Sequence, residues 1–203
     1  KVKKIIISKY GPPEVLKIKD SNNLIPKENE ILIKNYYSGV NFSEIMARMK
    51  LYPGAPKPPC TIGGECCGII EAIGKNVSKF TVGQKVMALS RFKSYASHVC
   101  STEDMVIALP NEFTLKQGAA FPIVYITAYQ MLFDLGNLRA NDTILIHGAG
   151  GGVGVAAIQI AKSLDVKIIG TASKWKHSKL KKMGVDYCID YQNENIVEKV
   201  KKI

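Results

Sequence analysis

The sequence predicts an α/β protein in two parts. A small β barrel occupies residues 1–116, and the first half of a doubly wound parallel sheet occupies residues 117–203. Three observations carry this expectation. Short apolar runs separated by glycine and proline fill the first part. After Pro110 the chain turns alanine-rich, with no charge from Gln117 to Phe133. From Thr143 onward, an apolar strand, a glycine turn, a helix and a second strand follow at βαβ spacing.

The barrel strands are expected at Lys4–Lys9, Val15–Lys19, Glu30–Ser38, Glu65–Gly74, Gln84–Ala88 and Ser94–Cys100. Gly11-Pro12-Pro13 and Gly83 supply turns between them. A short helix is expected over Ser43–Lys50, followed by the proline-rich loop Tyr52–Pro59, which borders a pocket. Leu115–Phe133, with Pro122 inside it, reads as two helical segments packed under the parallel sheet. That sheet takes Thr143–His147, Val166–Thr171 and Asp186–Asp190 as strands. Helices are expected over Val155–Ala161, over Lys174–Met183 with a stop at Gly184, and from Ile196 onward.

Composition bounds the function. The 203 residues are 46% hydrophobic and 22% charged, an ordinary balance for a folded chain. A net charge of +11 favours acidic partners: a phosphorylated cofactor, an anionic phospholipid membrane surface, or nucleic acid without sequence preference. The basic residues are dispersed and lack the aromatic interleaving of a specific nucleic-acid site, so specific nucleic-acid recognition is not expected. Cys60, Cys66, Cys67, Cys100 and Cys188 make neither a C-x-x-C pair nor an even framework, which predicts free thiols in a reducing, cytoplasmic setting. Ile5-Ile6-Ile7 is too short for the apolar region of a secretory signal. The chain does not begin with methionine, and is expected to be a piece excised from a longer protein.

The glycine turn is the stretch with chemistry in it. Gly148-Ala-Gly-Gly-Gly-Val-Gly154 fits the dinucleotide fingerprint as Ala149-x-Gly151-x-x-Gly154, with alanine in the place of the first glycine. Ala149, Gly151, Gly152, Val153 and Gly154 are therefore expected to cradle a pyrophosphate, because glycine admits close backbone approach and helix-start amides point at the anion. The uncharged run Thr143–Ala161 is a poor membrane span, since it holds clustered glycines and His147. An NAD site needs a carboxylate about 20 residues beyond the glycines. Here that place reads Thr171-Ala-Ser-Lys-Trp-Lys-His-Ser-Lys179, without any acid. NADP(H) is the expected cofactor, with Ser173 and first of all Lys176 meeting its 2′-phosphate.

A complete domain of this kind has six strands in the order 3-2-1-4-5-6. The first three alone would supply the adenine side and leave the first strand an open edge. Pairing with a second copy as a homodimer, or cover by the barrel, is the expected remedy.

These residues resemble a known family, the zinc-free quinone oxidoreductase branch of the medium-chain dehydrogenases and reductases, and within it the synaptic-vesicle membrane protein group. The likeness rests on Gly39-Val-Asn-Phe42, Ala47-Arg48 with Leu51-Tyr52, Val124–Tyr129, Leu132–Leu138, Gly151–Gly154, Gly170–Ser173, Lys176-His177, Ile189–Tyr191 and Lys201–Ile203. It implies a GroES-like barrel followed by a Rossmann domain, and NADPH-dependent hydride transfer to a small-molecule quinone or enone. It places Asn41 beside the nicotinamide and Thr127 near that end of the cofactor. Ser173, Lys176 and Tyr191 would surround the 2′-phosphate, and Tyr52 would face the substrate, so Asn41 and Tyr52 are the catalytic candidates. Where metal-dependent relatives use cysteine and histidine, this chain resembles them with Asn41 and Gly64, and no four-cysteine lobe lies between Met87 and Cys100. No metal is expected. Met46 stands where bacterial quinone reductases carry tyrosine, so a hydroxyl facing the substrate is missing. The alternative implied by the vesicle group is a catalytically weak trafficking or lipid-binding protein, peripheral on vesicle or mitochondrial membranes.

Overall fold

The structure, a computed structural model, describes residues 1–203 and divides into two units, Lys1–Ile123 and Val124–Ile203. In the first unit, β1 (Val2–Ile7) pairs antiparallel with both β2 (Leu16–Ser21) and β4 (Cys60–Thr61). The larger sheet contains β3 (Glu30–Ser38), β5 (Glu65–Ile73), β6 (Lys85–Leu89), β7 (His98–Thr102) and β8 (Val106–Ala108), in the order β7-β3-β5-β6-β8 and antiparallel throughout. An isolated bridge between Lys4 and Ala96 ties β1 to the segment that leads into β7. The expected strands are thus present with shifted ends. Cys60–Thr61 and Val106–Ala108 were missed because two or three residues are too short to show a period.

Strand β5 explains why its sequence, Cys66-Cys-Gly-Ile-Ile70, is an apolar run and not an alternation. Cys66 packs in one core with Ile31, Ile33, Ile70, Val86 and Val99. Cys67 packs on the opposite side with Met87, Leu109 and Ala119. A strand covered on both faces needs apolar residues in both phases, as buried strands do. Complete burial of a side chain such as Ile33 is worth about 1.5–3 kcal/mol. At Gly68 a Cβ would lie 2.0 Å from the Lys34 carbonyl oxygen, so only glycine fits against the irregular β3–β5 register beside it.

The short helix α1 (Phe42–Arg48) follows β3, one residue earlier than the sequence suggests. The next helix corrects an expectation. α2 (Leu115–Ala119) does not lie under the parallel sheet: it packs on the barrel, where Gly118 faces Leu109 and the Cys67 sulfur. Thr114 starts it, since its Oγ1 accepts from Gln117 N–H while Gln117 Oε1 accepts from Thr114 N–H. α3 (Pro122–Tyr129) then begins at its proline, where a missing N–H costs nothing, and continues as a π-helical turn over Gln130–Leu135.

The second unit holds a parallel sheet in the order β11-β10-β9, built from β9 (Thr143–Ile146), β10 (Lys167–Thr171) and β11 (Tyr187–Ile189). Between them run α4 (Gly152–Ala161) and α5 (His177–Lys182); α6 (Ile196–Val200) follows. Ala156, Ala157 and Ala161 let α4 lie close to a core containing Ile146, Ile158, Ile168 and Leu180. Gly184, at φ +101°, closes α5: Val185 N–H donates to Leu180 O as the chain reverses. No helix is long and apolar enough to cross a membrane.

Candidate functional site

The glycine turn of the second unit is held by its own backbone. Ala149 N–H donates to Thr171 O at 2.9 Å, and Gly148 N–H donates to Thr171 Oγ1 at 3.2 Å, which ties the turn to the end of β10. Gly151 N–H donates to Gly148 O, with Gly148 at φ +61°. The amides of Ala149 and Gly151 are therefore spent on shaping the turn. The first helical bond of α4 runs from Val155 N–H to Gly151 O, so Gly152, Val153 and Gly154 are the start-of-helix amides without an intrahelical acceptor. Gly152 and Val153 are the more accessible of these; Gly154 is buried.

One glycine of the turn has a steric reason to be glycine, and a second marks where a flexible side chain passes. A Cβ on Gly154 would lie 2.5 Å from Gly148 O and 2.7 Å from the Ala149 Cα, both backbone atoms. A Cβ on Gly150 would meet the Lys176 Cδ at 2.5 Å. Gly150, which the fingerprint leaves without a role, is where the Lys176 side chain crosses the turn. Lys176 Nζ donates to Gly150 O at 3.3 Å and stands 5.0 Å from the centre of the Trp175 ring. The cation is thereby parked at the glycine turn.

Beside it, Ser173 Oγ and the Tyr191 hydroxyl lie 3.3 Å apart, at the ends of β10 and β11. The fold thus brings Ser173, Lys176 and Tyr191 to the C-terminal edge of the parallel strands, where ligands of open α/β sheets bind. The buried His177 takes no part, because its Nε2 pairs with Ala172 O at 2.9 Å. Thr127 lies on α3, half-buried, one turn beyond Val124, whose Cγ1 a Cβ on Gly152 would approach to 3.1 Å. It shares that side of the helix.

The first unit holds the other candidates. Asn41 caps α1: its N–H donates to Glu44 Oε2 at 2.7 Å. Its side-chain Nδ2 donates to Glu65 Oε1 at 2.7 Å, and Ile123 N–H donates to Glu65 Oε2 at 2.8 Å. Asn41 is therefore both a helix cap and a carboxamide clamped in one orientation, with one side-chain N–H left over. Glu44 and Glu65 are both buried. Burial pushes the Glu65 carboxyl above the usual range; the bonds from Ile123 and Asn41 oppose this, and nearby Glu44 adds to the rise.

Sequence reasoning singled out neither acid. Glu44 sits three residues after Asn41, the spacing of a capping box, and Glu65 is a charge inside an apolar strand; both signals were available.

A cavity of about 600 Å³ opens beside these acids, lined by Ser43, Glu44, Tyr52, Gly64, Phe92 and Ile123 among others. The Tyr52 ring meets Phe92 edge-on, with centroids 5.9 Å apart. Tyr95 lies behind this wall, and burial first, then the Glu44 and Glu65 charges, push its hydroxyl well above its ordinary range.

The same region fails the requirements of a metal centre. Asn41 and Gly64 offer no thiolate or imidazole, and no three His, Cys, Asp or Glu side chains stand together as a ligand set. Burial holds the neighbouring Cys66 thiol up at about 12 and Cys67 at about 11, protonated at neutral pH.

Comparisons with known proteins agree with this architecture. The alcohol dehydrogenase GroES-like domain family matches residues 27–133, and the zinc-binding dehydrogenase family matches residues 152–203. The synaptic vesicle membrane protein VAT-1 homolog of Danio rerio is 39% identical over 201 residues, covering 98% of this chain and 42% of the relative. The quinone oxidoreductase of Homo sapiens is 37% identical over 199 residues, covering 97% and 60%. The chain thus spans roughly half the length of these curated relatives, between 42% and 60%. Among solved structures, the Escherichia coli quinone oxidoreductase complexed with NADPH superposes with a TM-score of 0.93 at 33% identity, covering 98% of this chain and 62% of that one. The human VAT-1 homolog-like protein also gives 0.93, at 33% identity, covering 99% and 64%. With a barrel family matched over more than half its length and a three-strand parallel sheet after it, the chain belongs to the medium-chain dehydrogenase and reductase superfamily, beside the quinone oxidoreductases and the VAT-1 homologues.

Proposed function

We propose that this chain is part of an NADPH-dependent oxidoreductase whose acceptor is a quinone or enone. The observation that carries the reading is Lys176 resting on Gly150 of the glycine turn, with the Ser173 and Tyr191 hydroxyls paired beside it and Ser173–Lys179 free of carboxylates. Gly152 and Val153 amides would hold the pyrophosphate, and Lys176, Ser173 and Tyr191 the 2′-phosphate. The cofactor, when bound, supplies a hydride. In the barrel unit, a flat acceptor would lie against Tyr52 and Phe92, and the free N–H of Asn41 would hydrogen-bond an acceptor oxygen where charge develops. Thr127 would border the nicotinamide end of the cofactor. Met46 adds surface without a proton.

Trp175 is the sole tryptophan and sits against Lys176, so its fluorescence reports directly on this site. Titration with NADPH should quench it, and NADH should do so more weakly. Lys176→Gln should weaken NADPH about tenfold or more by removing one charge-assisted bond to phosphate, while NADH changes little. Equal losses for both cofactors, or no quenching at millimolar NADPH, would overturn the reading.

Zinc has no part in this proposal. Elemental analysis of the purified chain should give zinc far below one equivalent, and stoichiometric zinc would count against the assignment of Asn41 as an acceptor ligand.

A second reading, a peripheral protein at anionic membranes, is favoured by one exposed groove. Ile18, Tyr36, Tyr37 and Val40 line it with Lys3 and Lys4, and Lys34 lies against the Tyr36 ring. Aromatic and aliphatic groups framed by lysines suit a phospholipid interface. Flotation with vesicles containing phosphatidylserine, but not with neutral ones, would support it; sedimentation with neither would remove it.

A further inference from the structure

The loop after β6 has an unusual backbone. Phe92 adopts φ +60°, in the left-handed region that bulky side chains avoid. It is held there by Ser90 N–H donating to Gly64 O at 2.8 Å, Phe92 N–H to Ser90 O at 2.9 Å and Lys93 N–H to Gly63 O at 2.9 Å. Strain of this kind persists where the surroundings over-determine it and clusters at ligand sites. The consequence is a partition. Phe92 lies between two cavities of the first unit, the Tyr52 cavity of about 600 Å³ and a second of about 480 Å³, and Glu30, Arg91, Phe92, Lys93 and Cys100 line both.

The two cavities differ in chemistry. The Tyr52 cavity has an aromatic pair in its wall. The second adds Lys4 and Lys27 to the shared Arg91 and Lys93, with Leu24 and Ile25 supplying apolar surface; Ile25 is 86% exposed. The three ion pairs of the structure, Lys75–Glu28, His98–Glu71 and Lys199–Glu194, leave all four cations without a carboxylate partner. Glu30 is the one acid in the wall, and one of its oxygens is already engaged by Lys27 N–H at 3.0 Å. Glu30, Lys93 and Lys4 all act electrostatically on the Cys100 thiol, Glu30 the most strongly, so the acid and two of the cations meet at one place. Four cations beside apolar surface, facing one acid, form a receptor for an anion that carries a hydrocarbon chain.

We propose that the cavity beyond Phe92 binds the anionic end of an elongated acceptor, a carboxylate on an aliphatic chain, while the acceptor's flat quinone or enone end lies against Tyr52 and Phe92. The inference rests on the proposed acceptor class and adds to it the tail. Arg91 and Lys93 select for the carboxylate, and Phe92 turns the chain from one cavity into the next.

The test is direct binding, without NADPH, to the 203-residue chain. Calorimetric titration compares a naphthoquinone bearing an ω-carboxyalkyl chain with its methyl ester, which has the same shape and no charge. The acid should bind about tenfold tighter than the ester, and the double variant Arg91→Gln, Lys93→Gln should bring the two within about twofold. Both residues are exposed, so the variant's melting curve should match that of the parent. In the unsubstituted chain, the acid's advantage should also shrink as salt is raised. Equal binding of acid and ester, no binding of either at millimolar concentration, or an advantage that ignores both the substitutions and salt would overturn the proposal. Failure of the reductase reading is seen separately, as absence of Trp175 quenching by NADPH with the acid preference intact.

Discussion

Gly154→Val is expected to cost about 2–3 kcal/mol of stability and to abolish cofactor binding, because the new side chain must displace backbone and not a flexible neighbour. The Cβ alone would sit 2.5 Å from Gly148 O and within 2.8 Å of the Ala149 carbonyl carbon. Relief requires α4 to move away from the turn. The start-of-helix amides of Gly152 and Val153 would then no longer point where the pyrophosphate lies. Urea unfolding should show an earlier midpoint, and Trp175 should no longer be quenched by NADPH. A folded Gly154→Val chain that binds NADPH like the parent would remove the turn from the site. Gly148→Ala is a useful contrast: a Cβ there meets nothing within 4 Å, so its cost comes from φ +61° alone and should be nearer 1 kcal/mol.

Glu65→Gln should be the most damaging change in the barrel unit for its size. Both oxygens of Glu65 accept, one from Asn41 Nδ2 and one from Ile123 N–H. Glutamine offers one acceptor oxygen and one NH₂, so a donor must face a donor at one of the two places. Leaving one buried donor unmatched costs about 1–3 kcal/mol. Losing the Asn41 bond also frees its carboxamide to rotate, so binding of a neutral quinone should weaken as well. Calorimetric unfolding and quinone titration on the same sample check both. If stability and affinity are unchanged, the Glu65–Asn41 pair has no role in holding the site.

The pH dependence carries a definite sign. The folded Glu65 carboxyl titrates above its ordinary 4.5, so the folded state holds a proton that the unfolded chain has already released. Its contribution to stability is fully present below 4.5 and falls as pH rises through the higher folded value. Glu103 and Glu194 act in the opposite sense. Their carboxyls are held below 4.5 by the backbone N–H groups of Lys79 and Ser78 for Glu103, and by Lys199 Nζ and the Asp190 backbone N–H for Glu194, so what they add is lost as pH falls. The difference between parent and Glu65→Gln isolates the first effect: it should be largest in acid and narrow as pH rises above 4.5. A difference that widens with pH would contradict the assigned direction.

Local chemistry made one part of this protein legible. The parallel half declares itself through short-range features: an apolar strand, glycines where backbone must approach backbone, and Gly184 at a helix stop. Ser173, Lys176 and Tyr191 were named from the sequence, the glycine-turn spacing pointing to Ser173 and Lys176 and the family resemblance adding Tyr191. Their convergence in the structure follows because βαβ connection geometry sets all three at the same end of the sheet. The barrel half declared its strands but not its site. Asn41 reads equally well as a cap or a ligand; in the structure it caps α1 and is held by Glu65 across 24 positions, a pairing no local window can show. Gly150 has no role until Lys176 is seen crossing it, and Leu115–Ala119 has the composition of a helix without any mark of which sheet it covers.

The sequence by itself determined the order of elements and the first half of the doubly wound sheet, since each depends on neighbours within a few residues. Tertiary structure alone decided that Glu65 clamps Asn41 across 24 positions, that Phe92 is forced to positive φ, and that Lys4, Lys27, Arg91 and Lys93 face one cavity. These are pairings between segments brought together by sheet closure, and their energies depend on burial and distance, quantities that have no value until the chain has folded.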